Sequence, residues 1–317
     1  MHTSRRRAAA ILSTGVAGLL LLSGAGSSTA LNTGQATKVV IQFYKSNLKA
    51  NDNLSSNLLN KLEEGVSATM DDRGYTLLAK AGETTESAPP IPSKSEISLA
   101  LSPSQPTSFL ALIKFPARTG TTPTAATTEY LVFRKDRKSI PWRVLYEPAV
   151  ETSLTLPRLS AKSPAIKSGA STSEFVDLAK YYNGVTERFA SGPLTSQWLA
   201  AGQQDIATAL SNGINFSVTY KVAASPITTV AVNKGALEFG TLSEANQSIP
   251  TPSGTCMETS SGDSNEVLAL APSGTPYSSV AASYLLQAVI FVPQNRRQLP
   301  QVLGADQQLM SVSAPAC

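Results

Sequence analysis

Residues 33–50 read TGQATKVVIQFYKSNLKA, and Ala36, Val39, Val40, Phe43, Tyr44 and Leu48 fall at the three- and four-residue spacing of one helical face. Asn51 to Asn53 then makes a turn. Beyond it Leu54, Leu58, Leu62, Val66 and Met70 recur every fourth residue, which predicts a second helix, and Tyr75 to Lys80 adds a last short helical piece. Ala88 to Pro92 breaks this pattern and the texture turns to β. Ile97, Leu99 and Leu101 alternate with smaller residues, and Phe109 to Phe115 is an apolar run. Tyr130–Phe133 and Trp142–Tyr146 flank the charged turn Arg134–Ser139 as a hairpin, and Val150–Leu156 reads as one more strand.

The same plan restarts further along. Leu159 to Ser173 is rich in Ser, Ala, Lys and Pro and reads as a linker. Phe175, Leu178, Ala179, Tyr182, Val185 and Phe189 form a helical face; Trp198, Leu199, Ile206 and Leu210 form another, ending at Asn212-Gly213, a good C-cap pair. Strands are expected at Phe216–Val222, Ile227–Val232, Ala236–Phe239, Val267–Ala271, Val280–Val292, Leu299–Leu303 and Leu309–Val312. The expectation is α+β, with two tandem units of helices followed by a curved antiparallel sheet, at 31–158 and 174–317, joined by the linker at 159–173. This order resembles the cone-shaped fold of nuclear transport factor 2-like (cystatin-like) proteins, an analogy of fold that carries no function.

The first thirty residues form three zones. Arg5, Arg6 and Arg7 precede the apolar stretch Ala8–Leu22, and small residues lead to Ser28-Thr29-Ala30. This is the pattern of a secretory signal peptide cleaved between Ala30 and Leu31, and the apolar stretch is short for a membrane span. The expected location is outside the cytoplasm, secreted or in the cell envelope, with no membrane span after cleavage. Loss of the three arginines takes Lys+Arg from 26 to 23 against 22 Asp+Glu, so the mature chain is near neutral and nucleic acid is not an expected partner.

The single histidine, His2, lies in the same segment. The mature chain therefore has none of the histidine-based triads, general bases or metal sites. Two cysteines, Cys256 and Cys317, are expected to pair in an oxidising compartment, with a loop closure worth roughly 4 kcal/mol.

Residues 284–293, YLLQAVIFVP, with 301–305, QVLGA, and 309–313, LMSVS, resemble the C-terminus of an actinobacterial secreted or lipoprotein family of unknown function. Phe43-Tyr44-Lys45 and Pro141-Trp142-Arg143-Val144 resemble its N-terminal half. The resemblance implies the cell envelope and supplies no catalytic residues. This chain has no cysteine after Leu20-Leu21-Leu22, where such proteins carry a lipid-modified one, so release or a non-lipid attachment is expected.

Candidate sites are few. Ser46-Asn47-Leu48-Lys49 matches the S-x-x-K of penicillin-recognising enzymes, but its companions would have to be Ser55-Ser56-Asn57, nine residues after the first, and Lys167-Ser168-Gly169 in the linker. Glu63, Glu64, Asp71 and Asp72 offer paired carboxylates for acid–base chemistry, and read more simply as a solvated face with Arg73 as local counter-charge. Asp263 with Glu266 offers weak calcium ligands without EF-hand spacing. Arg134, Lys135, Arg137, Lys138 and Arg143 form a basic cluster that suits anionic headgroups or wall polymers, or simply keeps a hairpin tip soluble. Trp142, Tyr146, Trp198, Tyr181 and Tyr182 are expected mostly in the core. No cofactor and no metal are expected. The chain reads as a non-catalytic secreted or envelope protein that binds an envelope partner or a small apolar ligand. The alternatives are a serine/lysine- or carboxylate-based hydrolase and a structural subunit of an envelope assembly.

Overall fold

Sheet faces decide the architecture, because two of the strands are apolar on both sides. In a computed structural model the described residues are 31–86, 89–101, 107–117, 125–135, 141–159, 166–168, 174–224, 227–252, 255–259, 267, 270–272 and 274–317. The expected signal, Ala30 included, therefore lies outside them. So do Arg137, Lys138, Asp263 and Glu266.

Helix α1 (Thr33–Asn51) opens with a capping box, in which Asn32 Oδ1 accepts from the Gln35 amide at 2.9 Å and Gln35 Oε1 accepts from the Asn32 amide at 3.0 Å. The four-residue apolar repeat from Leu54 to Met70 is not one helix. It is split into α2 (Ser56–Leu59) and α3 (Gly65–Lys80), with Glu63 in a parallel bridge to Val144 between them. The reason is local. Gly65 has φ +63°, a left-handed conformation that a side chain disfavours, and a Cβ there would meet Leu145 Cδ1 at 2.7 Å.

Four antiparallel strands follow in the order β1-β2-β3-β4: β1 (Ile97–Leu101), β2 (Ser108–Phe115), β3 (Thr127–Arg134) and β4 (Arg143–Tyr146). The second sheet runs β10-β9-β8-β7-β5, with β6 also on β8: β5 (Ile166–Ser168), β6 (Ile214–Val222), β7 (Thr228–Val232), β8 (Gly235–Pro250), β9 (Val280–Pro293) and β10 (Gln301–Ser313). Helices α4 (Glu174–Tyr182) and α5 (Trp198–Ser211) precede β6. The protein is α+β with two antiparallel sheets.

Several expectations change in detail. Strand β8 is far longer than Ala236–Phe239, and its second half pairs with β6 while its first half pairs with β7. The two closing strands are one, β10. Where a strand was expected at Val267–Ala271, the amides of Leu270 and Ala271 donate to the Val267 carbonyl. The stretch read as a linker supplies β5, paired with β7. Val150–Leu156 is no strand, but its first residues bridge the two sheets.

Leu31–Cys317 form one compact unit. On β2, Phe109, Ala111, Ile113 and Phe115 face Val40, Phe43 and Tyr44 of α1. The alternate residues Leu110 and Leu112 join Tyr130, Val132, Val230, Leu237, Phe239 and Val289 in a core shared by both sheets. The outer face of the second sheet, with Leu242, Leu286, Ala288 and Ile290, is covered by Phe175, Leu178 and Tyr182 of α4. The layers are therefore helix, sheet, sheet, helix. A strand buried on both faces reads as a continuous apolar run, which is why Phe109–Phe115 does not alternate.

The Cys256–Cys317 disulfide is present, with its Cα atoms 6.1 Å apart. Among the described residues no helix is long and apolar enough to cross a membrane.

Candidate functional site: a carboxylate cavity at the joint of the sheets

The joint is built by residues 147–151 as they leave β4. Ala149 bridges Glu129 of β3, and Val150 bridges Gly304 of β10. The Glu151 amide donates to the Leu303 carbonyl at 2.9 Å. Such an approach needs glycine: a Cβ on Gly304 would lie 2.2 Å from the Ala149 carbonyl oxygen. The β9–β10 register shifts between Val302 and Gly304, a bulge of the kind that re-aims the side chains after it. Asp306 follows, and its Oδ2 accepts from the Ala149 amide at 3.3 Å.

A cavity of about 230 Å³ lies at this joint. Helix α1 contributes Tyr44, Asn47 and Asn51 to its wall and α3 contributes Asp71. The segment after α3 contributes Glu86, β3 gives Glu129, and the segment after β4 gives Glu147. Gln287 of β9 and Asp306, Gln307 and Gln308 of β10 complete the polar wall. Five lining residues are acidic and none is basic.

Glu63 adds a sixth carboxylate behind them. After the turn that ends at Leu62, Glu63 bridges Val144 and Glu64 is extended, so the side chains of Glu63 and Glu64 diverge. Leu62 packs in the α1-side core. Glu63, only 1% exposed, lies beside Asp71 and Glu147, with one carboxylate oxygen from each of the three within 4.8 Å of the others. Glu64 instead accepts from Arg134 Nε at 2.6 Å and pairs with Arg143 Nη2 at 3.1 Å. Glu63 and Glu64 are thus buried, and the solvated-face reading is overturned by the break between α2 and α3. Asp72 and Arg73 line a separate depression with Thr69 and Thr76.

Neutral donors hold the carboxylates. Asn47 Nδ2 donates to Glu63 Oε1 at 3.2 Å, Tyr44 donates to Glu129 Oε2 at 2.7 Å, and Ser67 Oγ donates to Glu147 Oε1. The Glu147 amide donates to Gln287 Oε1 at 3.1 Å, and Tyr75 donates to Asn51 Oδ1 at 2.5 Å.

Burial and mutual repulsion favour the protonated forms of these acids. Burial, then the Glu86 and Asp306 charges, pushes Asp71 up to about 8. Burial pushes Glu129 up to about 7 against the bond from Tyr44, which acts in the opposite direction. Glu63 and Glu147 are raised well above the usual carboxylate range, first by burial and then by each other's neighbourhood of charge, with Asn47 and Ser67 partly offsetting. A cluster of carboxyl groups whose ionisation is resisted, with no lysine or arginine in the lining, is a site for a positive ligand or for protons.

The other candidates do not converge. Ser46 is on α1 and accepts from Gln42 Nε2 at 3.0 Å, Lys49 is exposed, Ser55 caps α2, and Lys167 lies on β5 of the second sheet. Of the basic cluster, Arg134 and Arg143 turn onto Glu64, and Lys135 sits 5.9 Å over the Trp142 ring. Tyr146, Tyr181 and Tyr182 are buried, while Trp142 and Trp198 are partly buried against the same cores.

Asp306 and Glu147 escaped the sequence reading, since each is a lone acid in a strand-like stretch. Comparison of the chain with protein-family models, with curated proteins and with solved structures gives no match.

Proposed function

We propose that the protein is a non-catalytic extracytoplasmic binding protein whose carboxylate cavity takes a positively charged ligand. The observation that carries this reading is a cavity wall with five acidic residues and no lysine or arginine. Such a wall attracts cations and penalises an apolar ligand, because an apolar guest would leave the carboxylates desolvated and unpaired. The ligand class accordingly moves from the small apolar molecule expected from the sequence to a cation. The signal-like first thirty residues and the disulfide support secretion or an envelope location. The twice-repeated order of helices then antiparallel sheet supports two tandem cone-like units of the nuclear transport factor 2-like kind, divided near residues 159–173 and packed sheet against sheet.

A carboxylate-based hydrolase is the second reading, favoured by Asp71 and Glu129 holding protons near neutral pH. A thermal-unfolding panel at pH 8 separates these readings. Calcium chloride, 1,5-diaminopentane and spermidine are compared with glucose and hexanoate, in wild type and in Glu147→Gln. A cation-specific rise in Tm that shrinks in Glu147→Gln is the expected result. No rise with any cation defeats the binding reading, and turnover of a glycoside or ester panel that is lost in the same variant supports the hydrolase.

A further inference from the structure

The cation-binding reading leaves open whether the cavity holds an organic cation at its mouth or a metal ion at its base, and the base has the more defined geometry. We propose that Glu63, Asp71 and Glu147 form a binding site for one hard divalent cation of the calcium type. This rests on the cation-cavity reading and deepens it.

The three carboxylates come from separate places in the fold: the bridge between α2 and α3, the body of α3, and the segment leaving β4. One oxygen from each lies within 4.8 Å of the other two. Oxygens bound to a single calcium at 2.3–2.6 Å are separated by up to about 5 Å, so one ion bridges this set with little side-chain movement.

A second observation is independent of the clustering. Glu63 is 1% exposed, its Oε1 takes the Asn47 amide, and its Oε2 has no hydrogen-bond partner among the described residues. A buried carboxylate oxygen without a donor is costly as it stands, and a cation beside it removes the cost. The donors that are present leave room for this. Asn47 and Ser67 each bind one oxygen of Glu63 and Glu147 and orient the carboxylate. They are positioning residues.

The donor chemistry narrows the ion. Every group at the base is an oxygen donor, with neither imidazole nor thiolate, which suits calcium, manganese and magnesium over zinc or copper. Calcium fits best among them, because it accepts irregular geometry and six to eight oxygens. The cavity above gives space for waters to complete the shell.

The test uses the full exported chain, stripped with EDTA and exchanged into chelator-free buffer at pH 8. Calcium, magnesium and manganese chlorides are titrated calorimetrically, alongside tyrosine-sensitised terbium luminescence, since Tyr44 and Tyr75 lie within the same cluster. The expected result is one calcium per chain, displacement of terbium by calcium, and at least tenfold weaker binding in both Glu63→Gln and Asp71→Asn. Asp306→Asn, at the exposed mouth, is expected to lose only a few-fold. Should one base variant fail to fold, Glu147→Gln, which removes the third carboxylate, takes its place and locates the ion.

Extracellular calcium modules bind at about 10⁻⁴–10⁻³ M. Absence of both heat and luminescence in wild type at ten times that range overturns the metal site. If 1,5-diaminopentane binds while no divalent ion does, the metal site falls and the cation cavity stands; if neither binds, both fall. Calcium binding that is unchanged in Glu63→Gln and Asp71→Asn puts the ion elsewhere and also overturns the proposal.

Discussion

Glu63 and Gly304 set the chemistry and the shape of the site, and each makes a separate prediction. A buried carboxylate kept for structure should lose stability when neutralised. Glu63 has the opposite setting, with two acidic neighbours and one bare oxygen. Glu63→Gln is expected to raise the stability of the cation-free protein at pH 8, by an amount on the order of 1 kcal/mol, because the amide carries no charge to desolvate. The same variant should lose the calcium-induced rise in Tm. Thermal unfolding with and without calcium reads both effects, and a loss of stability in cation-free buffer would assign Glu63 a purely structural role. Gly304→Ala tests the joint. Its Cβ has no room against the Ala149 carbonyl, so one backbone must shift. We expect a cost of about 1–3 kcal/mol in urea unfolding, as for other overpacked sites, together with weaker cation binding through displaced Asp306 and Glu147.

At the scale of elements, the break between α2 and α3 separates two jobs, setting Glu63 behind the cavity wall beside Asp71 and Glu147 and Glu64 against Arg134 and Arg143. Glu64→Gln removes the carboxylate charge from its contacts with Arg134 and Arg143. The expected loss is about 1–3 kcal/mol by denaturant unfolding, with the calcium response retained, because Glu64 faces away from the cavity. This break also marks where the sequence stops being legible. Helix α1 is readable because one apolar face runs its whole length and meets one sheet. The Leu54–Met70 repeat misleads because its spacing continues through the non-helical residues between α2 and α3, where Gly65, with its left-handed backbone, breaks the helix. A signal was available nonetheless: Glu63 falls four residues after Leu59 and three before Val66, an acid inside an apolar face. The second half of β8 was missed because Thr241–Pro250 is mixed in polarity and gains its strand structure from pairing with both β6 and β9. Glu147 and Asp306 carry no local signal, since their meeting depends on the bulge in β10 and on the chain crossing between the sheets.

For the molecule as a whole, the sharing of one core by both sheets makes the joint, and therefore the cavity, part of the global fold. Its acids should then shape the pH dependence of global stability. The groups facing the cavity are Tyr44 from α1, Asp71 from α3, Glu86 after it, Glu129, Glu147 and Asp306, with Glu63 behind and no lysine or arginine in the lining. An unfolded chain releases carboxyl protons near pH 4. The folded, cation-free protein keeps them longer, up to about 7 at Glu129 and about 8 at Asp71. Between those limits the folded state binds more protons than the unfolded state, so stability must fall as pH rises. The stabilisation from these groups is fully present below about pH 4 and is lost as pH passes through their folded values. We therefore expect the Tm of the EDTA-treated protein to be higher at pH 5 than at pH 8. Calcium replaces the missing protons as counter-charge, so its presence should flatten the profile by raising Tm mainly at the alkaline end. Glu63→Gln should flatten the cation-free profile in the same direction without any calcium response. A Tm that rises from pH 5 to pH 8 in EDTA would mean that these carboxylates ionise as ordinary surface acids, and the cavity would then lack the stored repulsion that a cation relieves.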